Sequence, residues 1–297
     1  MDTGMIEQVR RFNRTVTQRV GALDEAFLAR DRPLGQARLL WEIGPAGADV
    51  RELRSRLDLD SGYLSRLLQA LATAGLIRVQ QSRGDGRVRT ARLTATGLAE
   101  REILDQRADE SAAAVLAPLS AGQRRRLAAA MAEVERLLTA SMVTVKAVDP
   151  RLPAARTCIA AYFAELGERF AGGFDPAASI PADDAELTPP AGLLLVAELH
   201  DEPVGCGGVM LHQGEPAHIR RMWVAPALRG LGLGRRLLGE LEALARSAGA
   251  PAVRLETNGA LAEAIAMYRS AGYREVPPFN AEPYAHHWFE KALADPS

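Results

Sequence analysis

The sequence predicts two domains: a mainly α-helical one closed by a single β-hairpin over residues 1–145, and an α+β one with a mixed sheet over residues 150–297. Three observations carry this. At 297 residues the chain is long enough for two separate hydrophobic cores. Helical periodicity runs to about Val143 and stops at Thr144–Pro153, after which prolines and short strand-like runs take over. The net charge of −1 also hides an asymmetry: residues 1–145 carry 22 arginines against 18 acidic residues, whereas residues 146–297 carry 14 basic against 19 acidic ones. A basic first half is compatible with nucleic acid, and the two halves present different surfaces.

With 47% hydrophobic and 25% charged residues, the composition excludes extended disorder. No apolar run approaches a membrane span, so we expect no membrane partner and a cytoplasmic location. Cys158 and Cys206 sit in apolar surroundings and read as buried small hydrophobes rather than as a disulfide, metal ligands or nucleophiles.

Between Met5 and Ala29 apolar residues recur at Ile6, Val9, Phe12, Val16, Val20, Leu23 and Phe27, the spacing of one helical stripe. A second helix fits Leu34 to Ile43, and a third fits Val50 to Leu57 with Asp49 as its N-cap. The next, from Leu59 to about Gly75, turns Leu64, Leu67, Leu68 and Leu71 inward and leaves Ser61, Ser65, Arg66 and Gln69 to solvent or DNA. Strands at Leu76 to Gln80 and Val88 to Leu93 flank a Gly-Asp-Gly turn, where Arg78, Arg83, Arg87, Arg89 and Arg92 meet one acid, Asp85. Helices followed by a basic hairpin make a winged helix-turn-helix, with charge on the wing where phosphate contact needs it. Helices Leu98 to Leu116 and Gln123 to Val143 complete the domain. The apolar stripe Leu127, Met131, Val134, Leu137 and Leu138 predicts a homodimer; packing on the first helix is the intramolecular alternative.

The Asp85-Gly86-Arg87 wing, the helix opening at Leu93-Thr94-Ala95-Thr96-Gly97 and the long flanking helices resemble MarR-type transcriptional regulators over residues 5–140. The resemblance implies binding to double-stranded DNA. Ser61, Ser65, Arg66 and Gln69 would enter the major groove, Arg83 and Arg87 would reach the neighbouring groove, and Asp85 would brace the hairpin.

In the second half a helix fits Arg156 to Phe170, and a long loop from Gly172 to Pro190 reads as a substrate lid. Strands follow at Gly192 to Leu199, Pro203 to His212 and Ala217 to Val224. The turn Arg229-Gly230-Leu231-Gly232-Leu233-Gly234 then opens an amphipathic helix from Arg235 to Ala248. A strand at Ala252 to Thr257, a helix at Ala260 to Ala271 and strands at Tyr273 to Val276 and His286 to Lys291 finish the chain. A strand, a glycine turn and a helix N-terminus make an anion site: the first helical amides lack acceptors, and the glycines let a phosphate approach. There is no Gly-Lys-Ser/Thr, and the spacing is not Gly-x-Gly-x-x-Gly.

Arg229-x-x-Gly232-x-Gly234, with Pro203 to Gly207 before it and Glu263 to Tyr273 after it, resembles the GNAT superfamily of N-acyltransferases over about residues 150–294. The resemblance implies a sheet splayed beside the loop. The backbone of Met222, Trp223 and Val224 would pair with the pantetheine of acetyl-CoA, and the amides of Arg229, Gly230, Leu231, Gly232, Leu233, Gly234 and Arg235 would hold its pyrophosphate. Tyr268 would protonate the leaving thiolate, and no metal is implied. Two positions depart from the family. Leu261 stands where many members carry an asparagine that touches CoA, with Asn258 close by, and His218 stands where many carry a glutamate. His218 is therefore the candidate base, a surface residue at a strand start being the other reading.

Tyr162, Glu165 and Arg169 share one helix face, where Glu165 suits a substrate ammonium and Arg169 a carboxylate, as for an amino-acid-like acceptor; an exposed ion pair fits the same spacing. Phe174 from the loop and His286 from the aromatic tail join them as pocket candidates. The sequence thus predicts a DNA-binding regulator that is also an acetyl-CoA-dependent N-acetyltransferase of a small amine, or, second, of a protein amine. The alternative is a regulator whose second domain only senses acyl-CoA.

Overall fold

The computed structural model describes residues 2–19, 28, 32–81, 89–180 and 183–293. The chain divides into two compact units, Met1–Ala132 and Glu133–Ser297.

The first unit runs α1 (Thr3–Arg19), α2 (Leu34–Ile43), β1 (Ala48–Asp49), α3 (Val50–Arg56), α4 (Ser61–Thr73), β2 (Ile77–Gln81), β3 (Arg89–Leu93), α5 (Ala95–Leu116) and α6 (Ala121–Met142), the last passing into the second unit. Each helix start has a local cause. Asp49 accepts from the Arg51 amide at 2.6 Å, Asp60 from Tyr63 at 2.8 Å, and Thr94 from Gly97 at 3.0 Å. Gly97 is needed for space, since a Cβ there would lie 1.9 Å from the Leu76 carbonyl oxygen. The hairpin gains a short third strand, β1, which the sequence did not reveal; Ala48 pairs with Ala91 in the order β1-β3-β2. Leu40, Leu53, Leu64, Leu71, Ala91 and Leu104 form the core. Helix α1 has no buried residue. Of the expected features, Val20, Leu23 and Phe27 of the first stripe and Arg83, Asp85, Arg87 and Val88 of the wing lie outside the described residues.

In the second unit the expected linker begins with a strand instead. Thr144–Val148 (β4) is long enough to pair antiparallel with Gly192–Leu199 (β5), so the sheet starts before Pro150. Next come α7 (Pro153–Arg169), β5, β6 (Glu202–Met210), β7 (Ala217–Val224), α8 (Leu233–Ser247), β8 (Ala252–Thr257), α9 (Ala262–Ser270), β9 (Arg274–Val276) and β10 (His287–Ala292). The sheet order is β4-β5-β6-β7-β8-β10-β9, with one parallel pair, β7 and β8. Alternation along β5 places the helices: Leu195 and Ala197 pack with Leu237 and Leu241 of α8, and Leu194 and Val196 pack with Cys158 and Ile159 of α7. The two helices therefore cover opposite faces. Cys158 and Cys206 are buried in the α7 layer, their thiols donating to the carbonyls of Gly205 at 3.4 Å and Arg221 at 3.2 Å. Among the described residues no helix is long and apolar enough to cross a membrane.

Candidate active site

The site forms where β7 and β8 part. They pair only at Ala217 with Val253 and at His218 with Arg254, and beyond that the strands diverge. β7 carries a bulge just past its last pair with β8. Cys206 pairs with Trp223 but Gly208 with Arg220, so Arg221 and Met222 together face Gly207. Arg221 takes up the extra length at φ +56°, a conformation costly for a side-chain-bearing residue. A Cβ on Gly207 would lie 2.6 Å from the Met222 sulfur, so the glycine makes room for the bulge.

Two cavities open in this wedge. The larger, about 460 Å³, includes Met222, Trp223 and Val224 of β7, the glycine turn and the start of α9. Its floor is built for an anion. The amides of residues 230–235 make no hydrogen bond among the described residues, and Gly232 precedes α8 at φ +82° without a side-chain cap. Four guanidiniums surround it. Arg229 and Arg169 both pair with Glu165, which also accepts from Trp223 Nε1 at 2.9 Å. Arg235 Nη2 donates to the Ser270 hydroxyl at 2.5 Å. Arg136, from α6, lies with Nη2 3.4 Å from where a Cβ on Gly230 would stand. These backbone donors and cations fit a nucleotide pyrophosphate, and the open edge of β7 fits an extended amide-bearing chain.

The smaller cavity, about 120 Å³, lies on the other side of Met222. One wall is aromatic, with Phe174 centred 4.9 Å from Tyr284 and 5.5 Å from Phe163. The other carries Arg220, Glu256 and Glu282. Arg220 Nη2 bridges Glu256 at 3.3 Å and Glu282 at 3.2 Å, and His218 Nε2 lies 2.6 Å from Glu256. Burial pushes the Glu256 carboxyl up, but the hydrogen bond and charge of His218 and the charge of Arg220 outweigh it and hold the group below its usual range. Tyr162, Met222, Leu261, Ala264 and Tyr268 line both cavities. Desolvation raises both phenols, Tyr162 to about 12 and Tyr268 further, so each stays protonated at neutral pH.

Several sequence candidates change place. Glu165 and Arg169 line the larger cavity, not the smaller one, and they form the ion pair that their spacing also allowed, with Glu165 held further by Arg229 and Trp223. His218 lines neither cavity; it holds Glu256, which does. Asn258 borders the smaller cavity, its side chain consumed by the Tyr284 carbonyl at 2.7 Å and the Ala260 amide at 2.9 Å. His286 is exposed and accepts from the Gly259 amide at 3.2 Å. Tyr162 and Phe174 do reach the smaller cavity. Sequence reading missed Glu256, Glu282, Arg220 and Arg136. The one available signal was Glu256 on a strand whose neighbours Val253 and Leu255 are core residues.

In the first unit Ser61, Ser65, Arg66 and Gln69 all lie exposed on α4, opposite buried Leu64, Leu67 and Leu68. Arg51, Arg54, Ser61, Ser65 and Arg89 border a shallow hollow between α3 and α4.

The sequence model of the acetyltransferase (GNAT) family matches residues 160–273, and that of the MarR family matches residues 31–88. An "IAA acetyltransferase" of Azospirillum brasilense is 39% identical over 114 residues, 38% of this chain and 74% of that one. An uncharacterised N-acetyltransferase of Schizosaccharomyces pombe is 32% identical over 97 residues, 32% of this chain and 60% of that one. Among solved structures, the PcaV transcriptional regulator from Streptomyces coelicolor aligns with 23% identity and a TM-score of 0.35 over 46% of this chain and 95% of that one. The chain belongs to the acetyltransferase (GNAT) family, its second half being an N-acetyltransferase region preceded by a MarR-family region.

Proposed function

We propose that the second unit transfers acetyl from acetyl-CoA to a small primary amine, and that the first binds double-stranded DNA as a homodimer in the cytoplasm. The observation that carries the enzymatic reading is the meeting of an anion-floored cavity and a carboxylate-walled one at Met222 and Tyr268.

Acetyl-CoA supplies an activated thioester. The free amides of residues 230–235 hold its pyrophosphate, flanked by Arg229 and Arg235, while β7 from Met222 to Val224 pairs with the pantetheine and a β7 amide steadies the oxyanion. Glu256 accepts the hydrogen bond of the incoming amine and takes its proton, with His218 as a positioning residue that keeps the carboxylate ionised. Tyr268 donates to the departing sulfur. A free thiol has a pKa of about 8.5, below a buried phenol, so full transfer requires the same desolvation to raise the thiolate as well.

Release of CoA thiol across amino acids, polyamines, aminoglycosides and peptides tests the enzyme. We expect turnover with at least one class and a kcat about 100-fold lower in Tyr268→Phe. Acetyl-CoA binding without release from any amine would leave the sensor reading. On DNA, Ser61, Ser65, Arg66, Gln69 and the wing arginines Arg83 and Arg87 provide the contacts. Protection of the protein's own promoter region should fall steeply with salt, and its absence removes the regulator reading.

A further inference from the structure

We infer that the acceptor is a free α-amino acid with a large apolar side chain, its carboxylate held by Arg220 and its side chain lodged among Phe163, Phe170, Phe174 and Tyr284. The inference rests on the N-acetyltransferase reading and narrows its substrate.

The hydrogen-bonding capacity left over in the smaller cavity decides the class. Glu282 is the more heavily used: its Oε2 accepts from the Ser179 hydroxyl at 2.9 Å, the Ile180 amide at 2.9 Å and Arg220 at 3.2 Å, and its Oε1 accepts from the Tyr284 amide at 3.4 Å. On Glu256, Oε2 is taken by His218 at 2.6 Å, Oε1 has the longer 3.3 Å contact from Arg220, and the Asn280 side chain also donates to the carboxylate. A carboxylate offers about four acceptor sites, so Glu256 keeps capacity for an ammonium.

Arg220 has the opposite surplus. Its side chain is 10% exposed, and its Nη1 is buried with no hydrogen-bond partner among the described residues. A guanidinium offers a planar fork of donors matched to a carboxylate, and a buried one left without an acceptor is costly. The free donor and the Glu256 carboxylate belong to groups already in contact. A ligand that meets both must carry an anion and an ammonium a few ångströms apart, which the carboxylate and amine of one α-carbon provide.

The facing wall fixes the remainder. Phe170 sits edge-on to Phe174 at 5.9 Å, and Tyr284 closes on Phe170 at 5.8 Å. A hydroxylated aminoglycoside would bury its hydroxyls unpaired against these rings, and a peptide N-terminus lacks the free carboxylate.

The test uses the full chain at saturating acetyl-CoA and measures kcat/KM for L-phenylalanine, L-leucine, L-phenylalaninamide, phenethylamine, glycine and spermidine. Losing the charge-assisted hydrogen bond should place the amide and phenethylamine about 10- to 100-fold below phenylalanine. Losing the side chain should place glycine at least about 10-fold below. In Arg220→Gln the gap between phenylalanine and its amide should close, with thermal melting and acetyl-CoA binding reporting whether that variant folds. The wild-type comparison stands without it. Equal or better turnover of the amide, phenethylamine or spermidine overturns the inference and leaves an N-acetyltransferase. No release with any amine, while acetyl-CoA still binds by calorimetry, overturns both readings.

Discussion

Both units bury a leucine-rich core, but the long helices α1 and α6 leave apolar stripes open. In the second, Phe289, Leu194, Leu237, Leu238 and Leu241 are fully buried. In the first, Met5, Ile6, Val9, Phe12 and Val16 lie along α1 with 37–60% of their surface open, and no residue of that helix is buried. Helix α6 adds Met131, then carries the stripe across the boundary with Leu137, Leu138 and Met142. A helix of 17 residues gains little from propensity alone and owes its stability to packing. The contrast is between two packed cores and the open stripes of α1 and α6, which we propose a second copy covers.

The largest expected effect breaks that contrast at the stripes. A fully buried Leu or Phe contributes about 1.5–3 kcal/mol, so Phe12→Glu combined with Leu138→Glu should weaken self-association at least about 1,000-fold. Sedimentation should then show a monomer with acetyl transfer within about twofold of wild type. A dimer that survives both charges would place the interface elsewhere.

Next in size are two glycines, one in each unit. A Cβ on Gly192 would meet the Glu186 and Val209 carbonyl oxygens at 2.1 and 2.3 Å, and one on Gly97 would meet Leu76 at 1.9 Å. Backbone cannot yield as a side chain does, so each alanine should cost about 3 kcal/mol. Calorimetry should show Gly97→Ala lowering one transition and Gly192→Ala the other. If either lowers both together, the halves unfold as one body.

How legible each half was in sequence follows from the range of its determinants. The stripe of α4, the cap at Asp49 and the turn before α8 are local, and the structure repeats them. The network of the smaller cavity is not local. Glu256 is 38 residues from His218 and Glu282 is 62 from Arg220; β8 beside β7 brings in the first, and the segment between β9 and β10 brings in the second. For Glu165, helix spacing allowed the ion pair with Arg169 that the structure contains, whereas its second partner, Arg229, lies 64 residues away and could not be read locally. Strand β4 was hidden because its prolines come just after it, at Pro150 and Pro153.

A smaller effect separates the halves by pH. Glu256 is held below its ordinary value of 4.5 in the native state. The unfolded chain therefore takes up the proton first as pH falls; stability present above the ordinary value is lost on descending through the native one. The second unit should lose stability there with a slope of up to about 1.4 kcal/mol per pH unit from this group. Glu256→Gln should remove that share of the slope from its transition alone. An unchanged slope would mean that the pair with His218 contributes nothing to folding.

The smallest effect concerns the helix the two halves share. Arg136 stands on α6 beside Gly230, held among the described residues by Glu133 at 3.2 Å, with both side chains more than half exposed. Such a surface pair is worth little and yields readily to a phosphate. The helix also ends against the turn, where Arg236 Nη1 donates to the Val143 carbonyl at 2.7 Å. Arg136→Ala should therefore raise the KM for acetyl-CoA roughly three- to tenfold with kcat unchanged. The same variant measures coupling. Acetyl-CoA can shift DNA affinity only as far as it binds the two states of the protein differently. If acetyl-CoA changes operator affinity in wild type and that change shrinks in Arg136→Ala, α6 transmits occupancy from one half to the other. If operator affinity ignores acetyl-CoA in both, the two halves are joined only by the chain.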